Sequence, residues 1–366
     1  MCSTSLMAES GDKGKYNRRP VASGFSAMLL ALIAGLLVSV ILATIVGPVW
    51  IPPQTVWKVA LHEATGLLRP DWSAAEAQIV WQIRFPRVLL AAVVGAGLSV
   101  VGTTLQAAVR NPLADPFLLG GSSGASVGAV LVIVGGLQVF GVYSLSVAAF
   151  AGASAAFVLV LALARSPGGH ASPLRLVLAG VAVSYALSAL TSFLVLRADD
   201  PEKVRSVLFW TLGSLGEARW EYLTLPAAAL IAGTALLLVQ SRSLNVLLLG
   251  EESAVTLGVE TGAFRRRLLV LCGLLTGTMV AVSGTIGFIG LMVPHMVRLA
   301  VGSDHRRVLP AAAISGAILL VWVDLLARTA IAPQEMPVGV VTSLIGAPFF
   351  LWLMRRKRNA FGGESR

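Results

Sequence analysis

The side chains best able to do chemistry are few and widely spaced along the 366 residues of the chain. Cys2 and Cys272 lie far apart, so neither a disulfide framework nor a thiol metal site follows from them. The HExxH and phosphate-loop motifs are missing from the sequence, and its apolar segments carry no pair of carboxylates. The four histidines fall in four separate segments, at His62, His170, His295 and His305. This pattern predicts no catalytic residue, no metal site and no cofactor bound by the chain.

Charge inside the apolar segments is concentrated at Asp324, with Arg328 one helical turn later. An acid and a base four residues apart on a helix can form a purely structural pair. An ion-coupled secondary transporter usually places several ionisable groups near the middle of the bilayer. Their scarcity favours a protein whose energy comes from elsewhere. An ion-coupled transporter and a membrane assembly protein without a transport path stay open as alternatives.

Two arginines flank a proline in segment 81–87, which we expect to be a loop just outside the second apolar segment. Arg84 and Arg87 would then present positive charge at the outer face. One interpretation is a pair of interface residues whose stems lie along apolar surface. The other is docking of an acidic partner, because arginine forms bidentate pairs with carboxylates.

Segment 110–116, with the sequence RNPLADP, follows the second apolar segment. Its two prolines and Asn111 predict a rigid turn that continues neither flanking helix. The stretch 118–125 that follows is rich in glycine. A phosphate-binding loop is a weak interpretation because no lysine follows, and close packing between helices explains the glycines better.

The longest polar connection, 241–267, contains a short stretch bracketed by Gly250 and Gly258. This stretch can form about two turns of helix, which would be marginal alone and would need a partner surface. It is either a lever that connects the membrane bundle to a cytoplasmic motor or an ordinary surface loop. The stretch includes Glu251, Glu252, Ala254 and Leu257.

Composition indicates an all-α membrane protein. Hydrophobic residues make up 56% of the chain, charged residues only 13%, and the mean hydropathy is +0.82, whereas soluble domains carry about 25% charged residues. The apolar run that begins at Phe25 is too long for a signal-peptide core and is expected to remain as an anchor. We predict a tail at 1–24, one membrane domain at 25–354 and a basic tail at 355–366. The membrane domain is a polytopic bundle of about ten transmembrane helices, near 25–46, 88–108, 117–137, 143–164, 174–196, 222–240, 266–283, 285–300, 308–328 and 337–354.

Counts of lysine and arginine predict the orientation. With the amino terminus in the cytoplasm, the inner segments hold 19 of the 28 basic residues and the outer segments hold nine, as the positive-inside rule requires. Both termini are then cytoplasmic. The net charge of +10 is explained by this topology and by contact with anionic lipid, which argues against nucleic-acid binding.

Long motifs in the right order resemble those of the FecCD-type family, the iron-chelate and cobalamin permeases of ABC importers. The resemblance runs from about position 81 to 353, whereas the first 80 residues share only one span and a loop with the family. The motifs are WQIRFPR, GAGLSVVGTTLQ, RNPLADPFLLGGSSGA, LGEESAVTLGV, SGTIGFIGLMVPHMVRL, DHR and PVGVVTSLIGAPFFLWLM.

The resemblance implies a type II ABC importer permease that works as a homodimer, with the translocation path at the dimer interface. Two ATPase subunits, which would bind ATP and Mg²⁺, lie below the permease, and a substrate-binding protein docks above it. The loop at about 241–264 becomes the coupling loop that sits on the ATPase. The resemblance assigns this coupling to Gly250, Glu251, Glu252, Ala254, Leu257 and Gly258, the cytoplasmic gate to Asn111 and Leu113, and binding-protein docking to Arg84, Arg87 and Arg328.

The resemblance also implies the bacterial inner membrane as the location and a metal chelate as the substrate. Ferric siderophore, haem and cobalamin stay open, with iron chelates first on family frequency. The turn at 172–175 lacks the run of hydroxyl residues found in the cobalamin permease. The second cytoplasmic gate is therefore unassigned, and overall similarity is a poor reason to choose cobalamin.

Overall fold

The computed structural model describes residues 21–164 and 173–361, and every regular element in these two ranges is helical. Predictions that concern residues 1–20, 165–172 and 362–366 lie outside the described residues. The helices are α1 (Val21–Ile45), α2 (Pro53–Thr65), α3 (Ala74–Ala77), α4 (Phe85–Val109), α5 (Gly121–Ile133), α6 (Ser144–Leu163), α7 (Pro173–Leu196), α8 (Pro201–Leu212), α9 (Thr224–Val239), α10 (Ser241–Leu247), α11 (Glu251–Thr256), α12 (Thr261–Ser283), α13 (Ile289–Val301), α14 (His305–Thr329) and α15 (Val338–Phe361).

Within the described residues, seven helical segments are long and apolar enough to cross a membrane, and three shorter apolar helices accompany them. The ten lie at the ten predicted positions, so the all-α, polytopic fold class is confirmed. The seven long segments are Gly24–Ile45, Ala74–Val109, Gly141–Leu163, Leu174–Leu196, Trp220–Val239, Thr261–Ser283 and His305–Thr329, and the shorter ones are Gly121–Ile133, Ile289–Val301 and Val338–Leu353.

Helix α4 forms the centre of the bundle and packs against α12, α13 and α14. Nearly every residue from Val88 to Val109 is buried. Close approach requires glycine at Gly102, because a Cβ atom there would overlap the backbone of Gly290 in α13. Small residues allow this contact in a membrane, where lipid supplies no hydrophobic drive for helices to associate.

Helices α5 and α6 form a second close pair. Gly124 of α5 and Gly152 of α6 face each other, and a Cβ atom on either would overlap the carbonyl of the other. The glycine-rich start of α5 therefore serves helix packing, as the sequence analysis predicted.

The second transmembrane segment is longer than predicted, and the expected loop at 81–87 is wrong. The segment Gln78–Arg84 forms a π-helical stretch that leads directly into α4. The N–H of Phe85 donates to the carbonyl of Val80, five residues earlier, which is the spacing of a π-helix.

Proline is tolerated in this helix because a side chain replaces its missing N–H. In the π register the partner of the Trp81 carbonyl would be residue 86, which is Pro86 and has no N–H. The indole N–H of Trp220 donates to that carbonyl over 2.8 Å. The Trp81 and Trp220 rings are also in contact, with centroids 4.8 Å apart and planes tilted by 41°.

The two ends of the bundle have different contents. One end, called here the α11 end, comprises turn 110–120, helices α10 and α11, and turn 302–304. Asn245 of α10 donates to Asp304 over 2.7 Å, which joins these parts. The other end, called here the α8 end, comprises segment 46–84, residues 197–223 and turn 330–337. The predicted orientation makes the α11 end cytoplasmic.

Candidate functional site

At the α8 end, a buried ion-pair cluster joins α4 to α14. The Nε atom of Arg87 lies 2.9 Å from Oδ1 of Asp324, and its Nη1 atom lies 2.9 Å from Oε2 of Glu335. Asp324 also pairs with Arg328 over 3.5 Å, so the structural pairing expected from their spacing is present. Arg328 donates in addition to the carbonyl of Ala43 in α1. Three helices are thus tied together by two arginines and one aspartate.

Arg84 closes the carboxyl end of α1. Its Nη1 donates to the carbonyls of Thr44, at 3.1 Å, and Ile45, at 2.8 Å, and its Nη2 donates to the carbonyl of Val49. The last carbonyls of a helix have no partner within it, and a guanidinium at this end also complements the helix dipole. Arg84 is therefore a capping residue in this structure.

The expectation that Arg84 and Arg87 present their charge at the outer face is wrong, and Arg328 is buried with them. The exposed fractions of Arg84, Arg87 and Arg328 are 3%, 4% and 3%. The physical reason is that each guanidinium satisfies carbonyls or carboxylates within the bundle. Of their acidic partners, Glu335 is substantially exposed, at 40%. Sequence reasoning did not identify this glutamate, which lies 248 residues from its partner and carries no local signal.

At the α11 end, the RNPLADP segment forms the predicted rigid turn. The side chain of Asn111 accepts from the N–H of Leu113 over 2.9 Å, the Asx-turn geometry typical of asparagine. Leu113 is 40% exposed, whereas Asp115 is buried. Asp115 accepts from the N–H of Phe117 over 2.9 Å. Burial raises the pKa of the Asp115 carboxyl to about 6.

The short helix expected between two glycines is present as α11. Gly250 and Gly258 adopt positive φ angles of 112° and 81°, a conformation that side chains disfavour, and so they break the chain on either side. Ala254 is fully buried, and Leu257 is exposed. Helix α11 thus anchors one small apolar residue in the bundle and turns others outward. The outward residues include Glu251, Glu252, Val255 and Leu257.

A cavity of about 520 Å³ lies where α8, the unwound connection 284–288 and α15 meet. Irregular backbone at membrane depth is tolerated where it lines a cavity. The N–H of Val338 donates to the carbonyl of Gly213 over 2.8 Å, and the hydroxyl of Thr285 donates to the carbonyl of Thr211. The lining holds hydroxyl and apolar groups without charge: Phe117, Thr211, Leu212, Thr285, Gly287, Gly339, Val340, Ser343 and Leu344.

Sequence reasoning missed this cavity because it placed helices at 266–283 and 285–300 with almost no gap. The available signal was the run SGTIGFIG between two apolar segments. Glycine-interrupted helices in transporters often mark a substrate path. A further cavity of about 550 Å³ also borders α8 and includes Glu202, Arg205 and Glu217. Among the described residues, no group of three or more His, Cys, Asp or Glu side chains could hold a metal ion.

Together, the apolar helices and the unwound segment beside an uncharged cavity define a polytopic membrane protein. Comparison with known proteins specifies it further. The chain belongs to the FecCD transport family, whose sequence profile matches residues 35–356. Members of this family are permease subunits of ABC importers, which are transport components and not enzymes.

Individual relatives cover most of the chain. It is 47% identical over 303 residues to the hemin transport system permease protein HmuU of Yersinia pestis, covering 81% of this chain and 90% of that protein. It is 39% identical over 331 residues to the vitamin B12 import system permease protein BtuC of Klebsiella pneumoniae, covering 90% and 94%. A solved structure of a proposed metal-chelate type ABC transporter in an inward-facing conformation matches with a TM-score of 0.78 at 32% identity, covering 90% of this chain and 99% of that one.

Proposed function

We propose that this chain forms the translocation path of an ATP-driven importer of iron chelates, haem or ferric siderophore. It would act as a homodimer in the bacterial inner membrane, with both termini cytoplasmic, two ATPase subunits and a substrate-binding protein. Family membership supports the ATPase and binding-protein partners, and the excess of basic residues in the inner segments supports the orientation.

The observation that carries the proposal is the construction of α11. This six-residue helix is too short to be stable alone, yet Val255 in it and Leu257 directly after it are each 60% exposed. Its anchor, Ala254, lies in the same buried cluster as Val109 and Phe264. A helix fixed to the bundle on one side, with both carboxylates and apolar side chains on the other, suits a lever seated in a groove of the ATPase. Gly250, Glu251, Glu252, Ala254, Leu257 and Gly258 would form this coupling element.

We propose the cytoplasmic gate at the turn that contains Asn111 and Leu113. The hydrogen bond within the turn fixes its shape, and the half-exposed Leu113 side chain is available to close an opening. The cavity beside α15 would lie along the same path. Its uncharged lining suits a metal chelate, in which the metal is already coordinated by an organic ligand.

Haem is the first candidate substrate because HmuU of Y. pestis, at 47% identity, is named for hemin transport. Cobalamin is the second, because the BtuC relatives also match over most of the chain. No His, Cys or Met lies among the residues that line the cavity beside α15. The proposed path would therefore conduct the chelate without replacing the ligands of its metal.

Docking of the binding protein at Arg84, Arg87 and Arg328 stays a prediction. Because these three side chains are buried, docking would require their present contacts to rearrange. Glu335 is the exposed member of the cluster, so a carboxylate of the binding protein would have to displace it from Arg87. Such an exchange keeps the buried cation paired, which a buried charge requires.

The proposal is tested by uptake in vesicles that contain this chain, its ATPase and its binding protein. Haem, a ferric siderophore and cobalamin are offered separately, each at matched concentration. We expect ATP-dependent uptake of an iron chelate at least tenfold above uptake of cobalamin. Preferential uptake of cobalamin would overturn the substrate, and uptake driven by an ion gradient without ATP would overturn the importer class.

A further inference from the structure

Helix α4 ends so that one of its carbonyls is left for a side chain. Arg110 adopts the left-handed conformation, with φ 54°, and its N–H turns back to the carbonyl of Ala107 over 3.3 Å. In a continuing helix the carbonyl of Ala108 would pair with residue 112, which is proline and has no N–H. Arg265 of α12 supplies the donor instead, with Nε 2.9 Å from the Ala108 oxygen.

The same guanidinium contacts α11. Its Nη1 lies 3.4 Å from Oε1 of Glu251, and the hydroxyl of Thr261 donates to that oxygen over 3.3 Å. The Arg265 side chain is only 4% exposed, whereas that of Glu251 is 48% exposed. A buried cation thus joins a carboxylate on the outward-facing helix to a backbone oxygen at the end of α4.

Apolar packing also connects α11 with the end of α4 and the gate turn, but it fixes their relative positions less precisely than the ion pair does. Ala254 of α11, Val109 of α4 and Ala114 of the gate turn belong to one buried cluster. Burial of apolar surface is non-directional, whereas a guanidinium holds its donors in one plane. The polar link is therefore the contact best suited to convert a shift of α11 into a shift of the turn that begins at Arg110.

We propose that Arg265 is a positioning residue that makes the gate turn follow α11 when the ATPase moves it. This inference rests on the proposed function, because it takes α11 as the coupling helix and turn 110–116 as the gate. The competing explanation is structural: Arg265 would only complement the negative end of the α4 dipole. If Arg265 has the positioning role, its loss leaves α11 moving while the gate turn no longer follows. If its role is only structural, the turn and α11 still move together.

Two reporter sites on the complete complex with its ATPase distinguish these explanations. A spin label at Ser253→Cys reports α11, and a label at Leu113→Cys reports the gate turn, each in a Cys2→Ser background. Cys272 is buried and can stay. Spectra are compared without nucleotide and with ATP trapped by vanadate. Arg265→Gln is the test variant, and Arg266→Gln is the matched control, because Arg266 is the next residue of the same helix and is exposed.

We expect nucleotide to change both spectra in the parent protein and in Arg266→Gln. In Arg265→Gln the change at position 253 should persist, whereas the change at position 113 should fall at least fivefold. Equal changes at both positions in Arg265→Gln would overturn the inference. If neither position responds in the parent protein, the proposed function itself fails.

If Arg265→Gln does not form the complex with the ATPase, a second variant tests the link between α11 and the gate turn. Glu251→Gln removes the carboxylate on α11 and leaves the bond from Arg265 to the Ala108 carbonyl in place. The response at position 113 should then fall at least threefold while that at position 253 remains. A full response at position 113 in Glu251→Gln would contradict the link.

Discussion

Arg87 and Asp324 form a buried ion pair across 237 residues of sequence, with Nε of the arginine 2.9 Å from Oδ1 of the aspartate. Arg328 shares the same carboxylate. Two buried cations therefore share the buried carboxylate of Asp324, and Arg87 pairs in addition with the more exposed Glu335. The cluster fixes α4 against α14 at the end of the bundle opposite the proposed coupling helix.

Asp324→Asn should strongly destabilise the bundle because it leaves Arg328 without its carboxylate and Arg87 with only Glu335. Removal of one partner from a buried pair costs about 3–5 kcal/mol. We expect a marked loss of the folded, monodisperse fraction in detergent and a lower melting temperature, measured by fluorescence-detected size exclusion after heating. The matched control is Asp71→Asn, because Asp71 pairs with Lys58 at the surface, where a pair contributes about 0–1 kcal/mol. Equal melting temperatures for the two variants would contradict the role given to the cluster.

Trp220→Phe should destabilise the protein by about 1 kcal/mol, because it removes the donor to the Trp81 carbonyl while keeping an aromatic ring. The loss should appear as a modest fall in melting temperature. Trp50→Phe is the control, since Trp50 is 80% exposed and its replacement should have almost no effect. If both substitutions behave alike, the indole does not satisfy the carbonyl that Pro86 leaves unpaired.

Most of the fold could be predicted from the sequence, because hydropathy reports directly on which segments can cross a bilayer. The short helix between Gly250 and Gly258 was also predictable, since two glycines set its bounds. The burial of Arg84, Arg87 and Arg328 was not. The acidic partners of Arg87 lie 237 and 248 residues away, and a pairing over such a distance leaves no mark in local composition.

The loop predicted at 81–87 failed for a related reason. A proline flanked by arginines is a fair signal for a turn, but the π-helical register and the Trp220 indole remove the penalty that proline normally imposes on a helix. Both compensations depend on tertiary packing. The cavity beside α15 was missed because two helices in sequence were read as nearly continuous, although the glycines between them marked the break.

Asp115→Asn should stabilise the protein at pH 8 and have less effect at pH 5. Burial raises the pKa of the Asp115 carboxyl from 3.8 to about 6, so the folded protein favours the protonated form. The contribution of this group to stability is therefore complete below pH 3.8 and is lost as the pH rises through 6. The variant should gain about 1–3 kcal/mol at pH 8, measured by melting temperature across the pH range.

The amide of Asp115→Asn keeps an oxygen that can accept from the N–H of Phe117. Asp115→Ala serves as the control, because it loses that oxygen and should be less stable than Asp115→Asn at every pH. A constant difference between Asp115→Asn and the parent protein from pH 5 to 8 would contradict the raised pKa.

Gly102→Ala should disrupt the packing of α4 on α13, because the added methyl group overlaps the backbone of Gly290. Overpacking of this kind costs about 1–3 kcal/mol or more, and backbone atoms cannot move aside as a flexible side chain would. Gly35→Ala is the control in α1, where a Cβ atom would meet only Ile318 at an ordinary 3.7 Å. Thermal stability of the purified variants measures the difference, and equal stability would argue against the close contact.

In the proposed function, the bundle takes its energy from a separate ATPase through α11. The most direct test is chelate uptake by sealed vesicles that contain the chain with its ATPase and binding protein, comparing the parent protein with Glu251→Lys. We predict uptake that follows ATP hydrolysis and ignores an uncoupler, and a fall of at least tenfold in Glu251→Lys while the complex remains assembled. Uptake that continues in vesicles without the ATPase, or that persists unchanged in Glu251→Lys, would contradict the account.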